Sequence, residues 1–358
     1  MKQYKLLYWA DQLPVFQNRM FPSSEEARDC VKGDISLVRD LETGLIFNQA
    51  FTPELLEYDD RYQNEQALSS AFRQHLNDVM SIVDAQLRGC SLIEVGCGKG
   101  TFLELLSDKG YVVTGLDPAY EGDNPKVLKK YFSPQVGINA DAIILRHVLE
   151  HIRDPYSFLL NIKTSNGGRG KIYIEVPCFD WICDNRSWFD VFYEHVNYFR
   201  LADFGRLFGR VYASGRFFGG QYLYIVADLE TLRIPVLTAD ENFEFPSDFL
   251  MGFNKKVDSL KRERDIKNAP VVVWGGASKG VIFSLLMQRA GVGVDFVVDI
   301  NPAKQGMYLP ATGIRVSSPE EVIARVPAGS DVIVMNQNYL PEVRNMLGGK
   351  FNCMAVEL

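Results

Sequence analysis

Residues 92–117 constrain the chain most. Leu92-Ile93-Glu94-Val95 is a short apolar run around one carboxylate and reads as a buried strand. Gly96, Gly98 and Gly100 follow at a spacing of two. Phe102, Leu103, Leu105 and Leu106 then share one helical face, and Gly110 stands where a helix is commonly closed. A second β-branched run, Tyr111 to Leu116, ends in Asp117. The order is strand, glycine turn, helix, strand, acid. Such a unit lets the backbone approach a ligand closely and sets an acid about 20 residues on, where it can take two ribose hydroxyls.

The spacing discriminates between ligands. Dinucleotide-binding turns need G-x-G-x-x-G, whereas this chain has E-x-G-x-G-x-G. That pattern resembles the first-strand loop of the class I S-adenosylmethionine (SAM) methyltransferases. The resemblance implies that Glu94, Gly96, Gly98, Gly100 and Asp117 hold SAM. SAM has no pyrophosphate, so the loop passes under an amino acid and a ribose. Asp141 to Leu145 is another buried strand, and Arg146-His147-Val148-Leu149-Glu150-His151 follows its carboxyl end. Open α/β sheets bind ligands beyond the carboxyl ends of their strands, so Arg146 and His147 join the expected cofactor set. A metal reading of His147 and His151 needs a helix and a third ligand. A loop histidine bonding backbone or substrate is the stronger reading, and no metal is expected.

The chain has 358 residues, enough for two or three domains. Its net charge of −7 argues against a nucleic-acid partner. No apolar run reaches membrane-spanning length, and the first residues do not read as a secretory signal, so a cytoplasmic location away from membranes is expected. Cysteines 30, 90, 97, 178, 183 and 353 form no C-x-x-C pair. Neither a zinc knuckle nor a redox motif is therefore supported.

Residues 1–64 read as a small irregular segment of short strands, expected to pack on the next domain. An amphipathic helix covers 65–88, with Leu68, Phe72, Leu76, Val79, Val83 and Leu87 on one face. Val127 and Leu128 lie in a short helical piece. Asp154-Pro155 starts another helix, and Lys171 to Pro177 is a strand. Phe189 to Phe199 is chemically dense, with Tyr193, Glu194, His195 and Tyr198 crowded between aromatic residues. Histidine titrates nearest neutrality, and an adjacent carboxylate can orient it as a base. A buried aromatic turn around a satisfied histidine is the alternative. Tyr222 to Ala227 reads as a closing antiparallel strand, and a charged helix covers roughly 247–266.

From Val271 the α/β pattern restarts. Val271 to Trp274 is a strand, Gly275-Gly276-Ala277-Ser278-Lys279-Gly280 a turn, and Val281 to Ala290 a helix. The next strands end at Asp299 and at Asn336. A glycine turn feeding a helix N-terminus, with Ser278 and Lys279 in it, can cradle a diphosphate. A purely structural turn is the alternative.

Together the two halves resemble the SAM-dependent C-methyltransferases of nucleotide-linked deoxysugars. The resemblance rests on the first glycine loop, on Arg146 to His151, and on Glu194-His195 followed by Tyr198-Phe199. In the second half it rests on Gly276-Ala277-Ser278-Lys279-Gly280, Asp299, Asn301-Pro302, Lys304-Gln305-Gly306 and Asn336. It implies a class I (Rossmann-like) methyltransferase domain at 65–235, a second Rossmann-like α/β domain at 236–358 that binds a nucleotide-sugar, and a small N-terminal domain at 1–64. SAM is the implied cofactor and S-adenosylhomocysteine its product. His195 is the implied base that removes the proton next to a ketone, with Glu194 and Tyr193 beside it. Tyr62, His151, Tyr198, Gly276, Ser278, Lys279, Asp299 and Asn336 form the implied substrate set. The chain is expected to act on this small molecule as a monomer or homodimer. Two departures stand out: Phe192 replaces a tyrosine, and only Cys30 remains of a four-cysteine zinc domain. O- or N-methylation of a sugar nucleotide or polysaccharide precursor, and a non-catalytic sugar-nucleotide-binding partner, are the alternatives.

Overall fold

Three sheets carry the architecture of the computed structural model, which describes residues 3–56, 67–239 and 241–356. The first is antiparallel: β1 (Tyr4–Pro14), β2 (Lys32–Asp40) and β3 (Ile46–Asn48). This segment is more regular than its sequence suggests. Its β1 is an 11-residue strand with two irregularities in its pairing to β2, which break the alternation.

The second sheet has the order β6-β5-β4-β7-β8-β10-β9. Its strands are β4 (Leu92–Val95), β5 (Val113–Leu116), β6 (Val127–Leu128), β7 (Ala142–Arg146), β8 (Lys171–Pro177), β9 (Val211–Phe217) and β10 (Tyr222–Asp228). The first five run parallel, and β10 and β9 close the edge antiparallel. Ile143, Ile144 and Leu145 are wholly buried, as strands covered on both faces must be. Burying each contributes about 1.5–3 kcal/mol. Val127 and Leu128 form an edge strand against Gly115 and Leu116 instead of the expected helical piece, because two residues carry no period. The helix expected at 65–88 runs from Ser70 to Leu87, capped by Ser69, whose Oγ accepts the Phe72 N–H at 3.3 Å.

The third sheet is all parallel, ordered β13-β12-β11-β14-β15. Its strands are β11 (Val272–Trp274), β12 (Phe296–Val298), β13 (Val316–Ser317), β14 (Asp331–Val334) and β15 (Asn352–Ala355). One continuous apolar cluster joins all three sheets, from Leu13 and Ile35 through Ile143 to Val273 and Ile333. The four-cysteine zinc centre does not fit this chain, because Cys30 is the sole cysteine before Cys90. Contacts to the third-sheet region hold the N-terminal segment instead. Phe21 and Tyr308 exchange backbone bonds at 3.0 and 2.9 Å, Ala311 N–H donates to Ala27 O at 2.7 Å, and Arg289 donates to Asp11 O at 2.8 Å. Among the described residues, no helix is long and apolar enough to cross a membrane.

Candidate active site

The first glycine turn leaves the carboxyl end of β4, which lies between β5 and β7. Gly96, Gly98 and Gly100 have φ of +75°, +53° and +84°. Two of them need the absent side chain for different reasons. A Cβ on Gly96 would lie 2.4 Å from Val148 Cγ2, so the turn presses on the segment after β7. A Cβ on Gly98 would meet nothing within 4 Å, so that face of the turn is open. Asp117, at the end of β5, accepts the Gly98 N–H at 2.8 Å through Oδ2 and the Ala119 N–H at 2.8 Å through Oδ1. Glu94 is buried, and its Oε2 has no hydrogen-bond partner among the described residues. Burial, opposed by Arg146, pushes its carboxyl up to about 8.

β7 delivers Arg146 and His147. His147 has φ of +51°, a strained conformation for a residue with a Cβ, which turns the chain sharply at the strand end. Both residues converge on Glu175 of β8. Arg146 Nε donates to Glu175 Oε2 at 2.8 Å, and the guanidinium lies 4.6 Å from the Phe102 ring. His147 Nε2 and His75 Nε2 bond Glu175 Oε1 at 3.0 and 2.8 Å. Burial alone would raise Glu175, yet Arg146 and His147 hold it well below the carboxylate range. Burial likewise opposes a charged His147, but Glu175 and Glu150 raise it to about 9. Glu175 was missed in the sequence. Its only signal is a lone acid in the apolar run Ile172 to Val176.

A cavity of about 230 Å³ opens where the second and third sheets meet. His147, Glu150, His151, Glu194, His195 and Phe192 line one wall. The segment after β7 is stapled to that of His195: Val196 and Asn197 N–H donate to Glu150 O at 2.8 and 3.0 Å. His151 Nδ1 donates to Glu194 O at 2.8 Å, the backbone-bonding role expected of a loop histidine. The His195 ring lies 4.2 Å from that of Phe192 and 5.0 Å from that of His151. Burial, helped by His151, His147 and Lys279, holds His195 well below its ordinary pKa, so it is neutral at neutral pH.

Two expected residues face elsewhere. Tyr193 is fully buried on the side of the N-terminal segment, where its hydroxyl accepts the Thr52 N–H at 2.8 Å and its ring lies 5.5 Å from Phe51. Tyr198 is also buried; its hydroxyl donates to Phe192 O and accepts from Phe192 N–H, both at 3.1 Å. Neither lines the cavity. They are positioned to shape the loop that presents His195. A dense aromatic stretch does not reveal which of its side chains turn inward. Tyr62 lies outside the described residues. Glu94, Gly96, Gly98, Gly100 and Asp117 do not line this cavity either.

The opposite wall comes from the second glycine turn. Gly276 N–H donates to Asp299 Oδ2 at 3.1 Å, as Gly98 does to Asp117. Gly276 itself stays behind the wall, while Ser278, Lys279, Asp299 and Asn336 line it. Lys279 Nζ pairs with Asp190 Oδ2 at 2.9 Å and donates to Gln221 Oε1 at 3.1 Å. Lys304 Nζ lies 3.5 Å from Asp299 Oδ2. Gln221 and Asn336 exchange two amide bonds of 2.9 Å across the junction of the sheets. Asp190, Gln221 and Lys304 were not in the expected set: Asp190 and Lys304 lie within stretches singled out in the sequence, but their meeting across the cavity is a long-range contact that the sequence does not show.

Two family profiles match. One is described as a methyltransferase domain and matches residues 60–211. The other is the C-methyltransferase C-terminal domain and matches residues 237–348. The chain is a SAM-dependent methyltransferase whose methyltransferase domain is followed by a match to the C-methyltransferase C-terminal domain. The enzyme is 25% identical over 294 residues to "C-methyltransferase NovU" of Streptomyces niveus, covering 71% of this chain and 68% of that protein. A ubiquinone biosynthesis O-methyltransferase of Saccharophagus degradans is 39% identical over 59 residues, 16% of this chain and 24% of the relative. The solved PH0226 protein of Pyrococcus horikoshii OT3 is 12% identical and overlays on 48% of this chain and 99% of its own, with a TM-score of 0.37. The seven-stranded sheet is that of a class I methyltransferase, with a second parallel sheet after it. SAM is the methyl donor.

Proposed function

We propose that the enzyme methylates a carbon atom of a nucleotide-linked keto sugar, with His195 as the base. One observation carries the reading. A neutral, half-buried imidazole faces a cavity whose opposite wall brings two lysines and an acid from the second glycine turn and the segment after β12. Lys279 and Lys304 suit a diphosphate, and Asp299 suits ribose hydroxyls. The sugar then lies toward His195. Glu94, Gly98 and Asp117 fit SAM: Gly98 leaves open space, and the buried Glu94 carboxyl keeps an oxygen without a partner. Arg146 and His147 act from behind that site through Glu175.

His195 takes the proton from the carbon beside the ketone. The C–H bond breaks, an N–H bond forms, and the electron pair moves to the ketone oxygen as an enolate. Phe192 packs on the imidazole, with ring centroids 4.2 Å apart, and limits its movement. When bound, SAM supplies the methyl group that the enolate carbon accepts. The stapled loops hold the base in place, so orientation contributes much of the rate.

Solvent deuterium exchange into the keto sugar, measured without SAM, tests the base. His195→Gln should slow both exchange and methyl transfer by about 10²–10⁴-fold while SAM binding persists. Exchange at the wild-type rate would remove His195 from that role. NMR of the product must show the new methyl on carbon; a methyl on oxygen or nitrogen would contradict the proposal.

A further inference from the structure

The lysine of the second turn carries its own counter-ion. Lys279 Nζ pairs with Asp190 Oδ2 at 2.9 Å, donates to Gln221 Oε1 at 3.1 Å and lies 4.8 Å from the Trp181 ring. The Lys279 and Asp190 side chains are 15% and 11% exposed, so the pair is largely out of water. Gln221 is fixed in turn by its two amide bonds to Asn336. Lys279 is thus held in place and neutralised before any ligand arrives. Lys304 repeats the arrangement with Asp299, at 3.5 Å.

Among the described residues, the cavity lining has more acids than cations. Glu150, Asp190, Glu194, Asp299 and Glu342 bring carboxyl groups. Against them stand Lys279, Lys304 and His147, which stays charged against burial because Glu175 and Glu150 face it. Glu342 is engaged by the Ser70 and Ala71 N–H at 3.1 and 3.2 Å, and Glu150 by His147. Asp190 is the acid set directly on the phosphate-facing lysine. It stands two residues before Phe192, whose ring packs on His195, so it lies on the sugar side of the turn. A wall of this kind attracts phosphate charge less than lysines alone would.

We propose that Asp190 selects the sugar-linked diphosphate against the free nucleoside diphosphate, because its carboxylate faces the extra charge of the free terminal phosphate. The inference rests on the nucleotide-sugar reading above. In the sugar-linked form each phosphate carries a single negative charge. The free form ends in a monoester, which carries close to two at neutral pH and takes up a proton at about pH 6. One more like charge beside Asp190, in a cavity partly shielded from water, costs about tenfold or more in binding. The enzyme therefore stays open to its substrate when nucleoside diphosphates without a sugar surround it.

Calorimetry on the full chain in metal-free buffer, with S-adenosylhomocysteine present, provides the test. The probes are the diphosphates of uridine, thymidine, cytidine and guanosine, each free and as its hexose ester. For the base that binds, wild type at about pH 7.5 should prefer the ester by about tenfold or more. Asp190→Asn keeps an oxygen for Lys279, and it should tighten the free diphosphate about tenfold more than the ester. In wild type the preference should shrink severalfold on going to about pH 5.5, as the terminal phosphate takes its proton, and in Asp190→Asn it should change less. The ester titrates no phosphate in that range, so it controls for charge changes in the enzyme, those of His147, His151 and His195 included. If Asp190→Asn does not fold, the pH dependence of wild type decides alone. Equal binding of both forms by wild type, or a preference unmoved by Asp190→Asn or by pH, overturns the selection and leaves the nucleotide-sugar reading intact. No binding of any probe overturns that reading and this inference together.

Discussion

The two glycine turns are built alike and equipped differently. Each leaves a central strand, feeds a helix, and donates one backbone N–H to the acid that ends the neighbouring strand, Gly98 to Asp117 and Gly276 to Asp299. Around the first turn the acids are Asp117 and Glu94, whose buried carboxyl is pushed up to about 8, beside the Arg146 bound to Glu175. Around the second they are Lys279, Lys304 and Asp299. An acid-rich turn favours a cation such as the sulfonium of SAM, and a lysine-rich turn favours phosphates. In the proposed function, the like backbone geometry of the turns suits a nucleoside-sized ligand at each, and the side chains distinguish the two. The glycines differ too. A Cβ on Gly98 would meet open space, whereas a Cβ on Gly280 would lie 1.8 Å from Gly275 O.

That difference gives the largest expected effect. Gly280→Ala should destabilise the enzyme by about 3 kcal/mol and lower its melting temperature, because backbone must move to admit the methyl group. A melting curve like that of wild type would show that the second turn is looser than described. Next in size is a crossed pair. Lys279→Ala should raise KM for the nucleotide-sugar about 10–100-fold and leave KM for SAM alone. Asp117→Ala should do the reverse. Equal losses for both substrates in either variant would break the assignment of one ligand to each turn.

Gly98→Ala is expected to cost only about 1 kcal/mol of stability, from its positive φ, yet to weaken SAM binding. Unchanged SAM affinity would mean that the ligand passes elsewhere. The smallest effects are pH-dependent. His147 rises from 6.5 to about 9 on folding, so its stabilisation is full below about 6.5 and is lost as pH rises through about 9. Glu94 rises from 4.5 to about 8, so it too favours folding at low pH and costs stability as pH rises through about 8. Glu94→Gln should therefore melt higher than wild type at pH 9 without SAM, with the advantage shrinking toward pH 5. An advantage that grows on acidification would contradict the buried position of Glu94.

Both glycine turns were legible because they combine a buried strand, glycines and a terminal acid within one short stretch. Long-range partners were not. Glu175 gathers His75, Arg146 and His147 from three separate elements, and no local period announces such a meeting. Tyr193 and Tyr198 were legible as aromatic but not as facing away from the cavity, since the irregular loop carrying them has no fixed face. β15 (Asn352–Ala355) escaped because exposed Asn352 and Met354 alternate with only a cysteine and an alanine. The basic helix Met251–Lys267 keeps Lys255, Lys261 and Arg262 exposed, the ordinary solvated face. The bonds of the N-terminal segment to Tyr308, Ala311 and Arg289 were invisible in the sequence, because they join residues far apart in the chain.

The central claim is that two like turns hold two different ligands on either side of His195. Calorimetric titration of the wild-type enzyme with S-adenosylhomocysteine and with a nucleoside diphosphate, each alone and each in the presence of the other, tests it directly. The account predicts one site for each ligand per chain and no displacement of either by the other. Mutual displacement would place both ligands on one turn and contradict it.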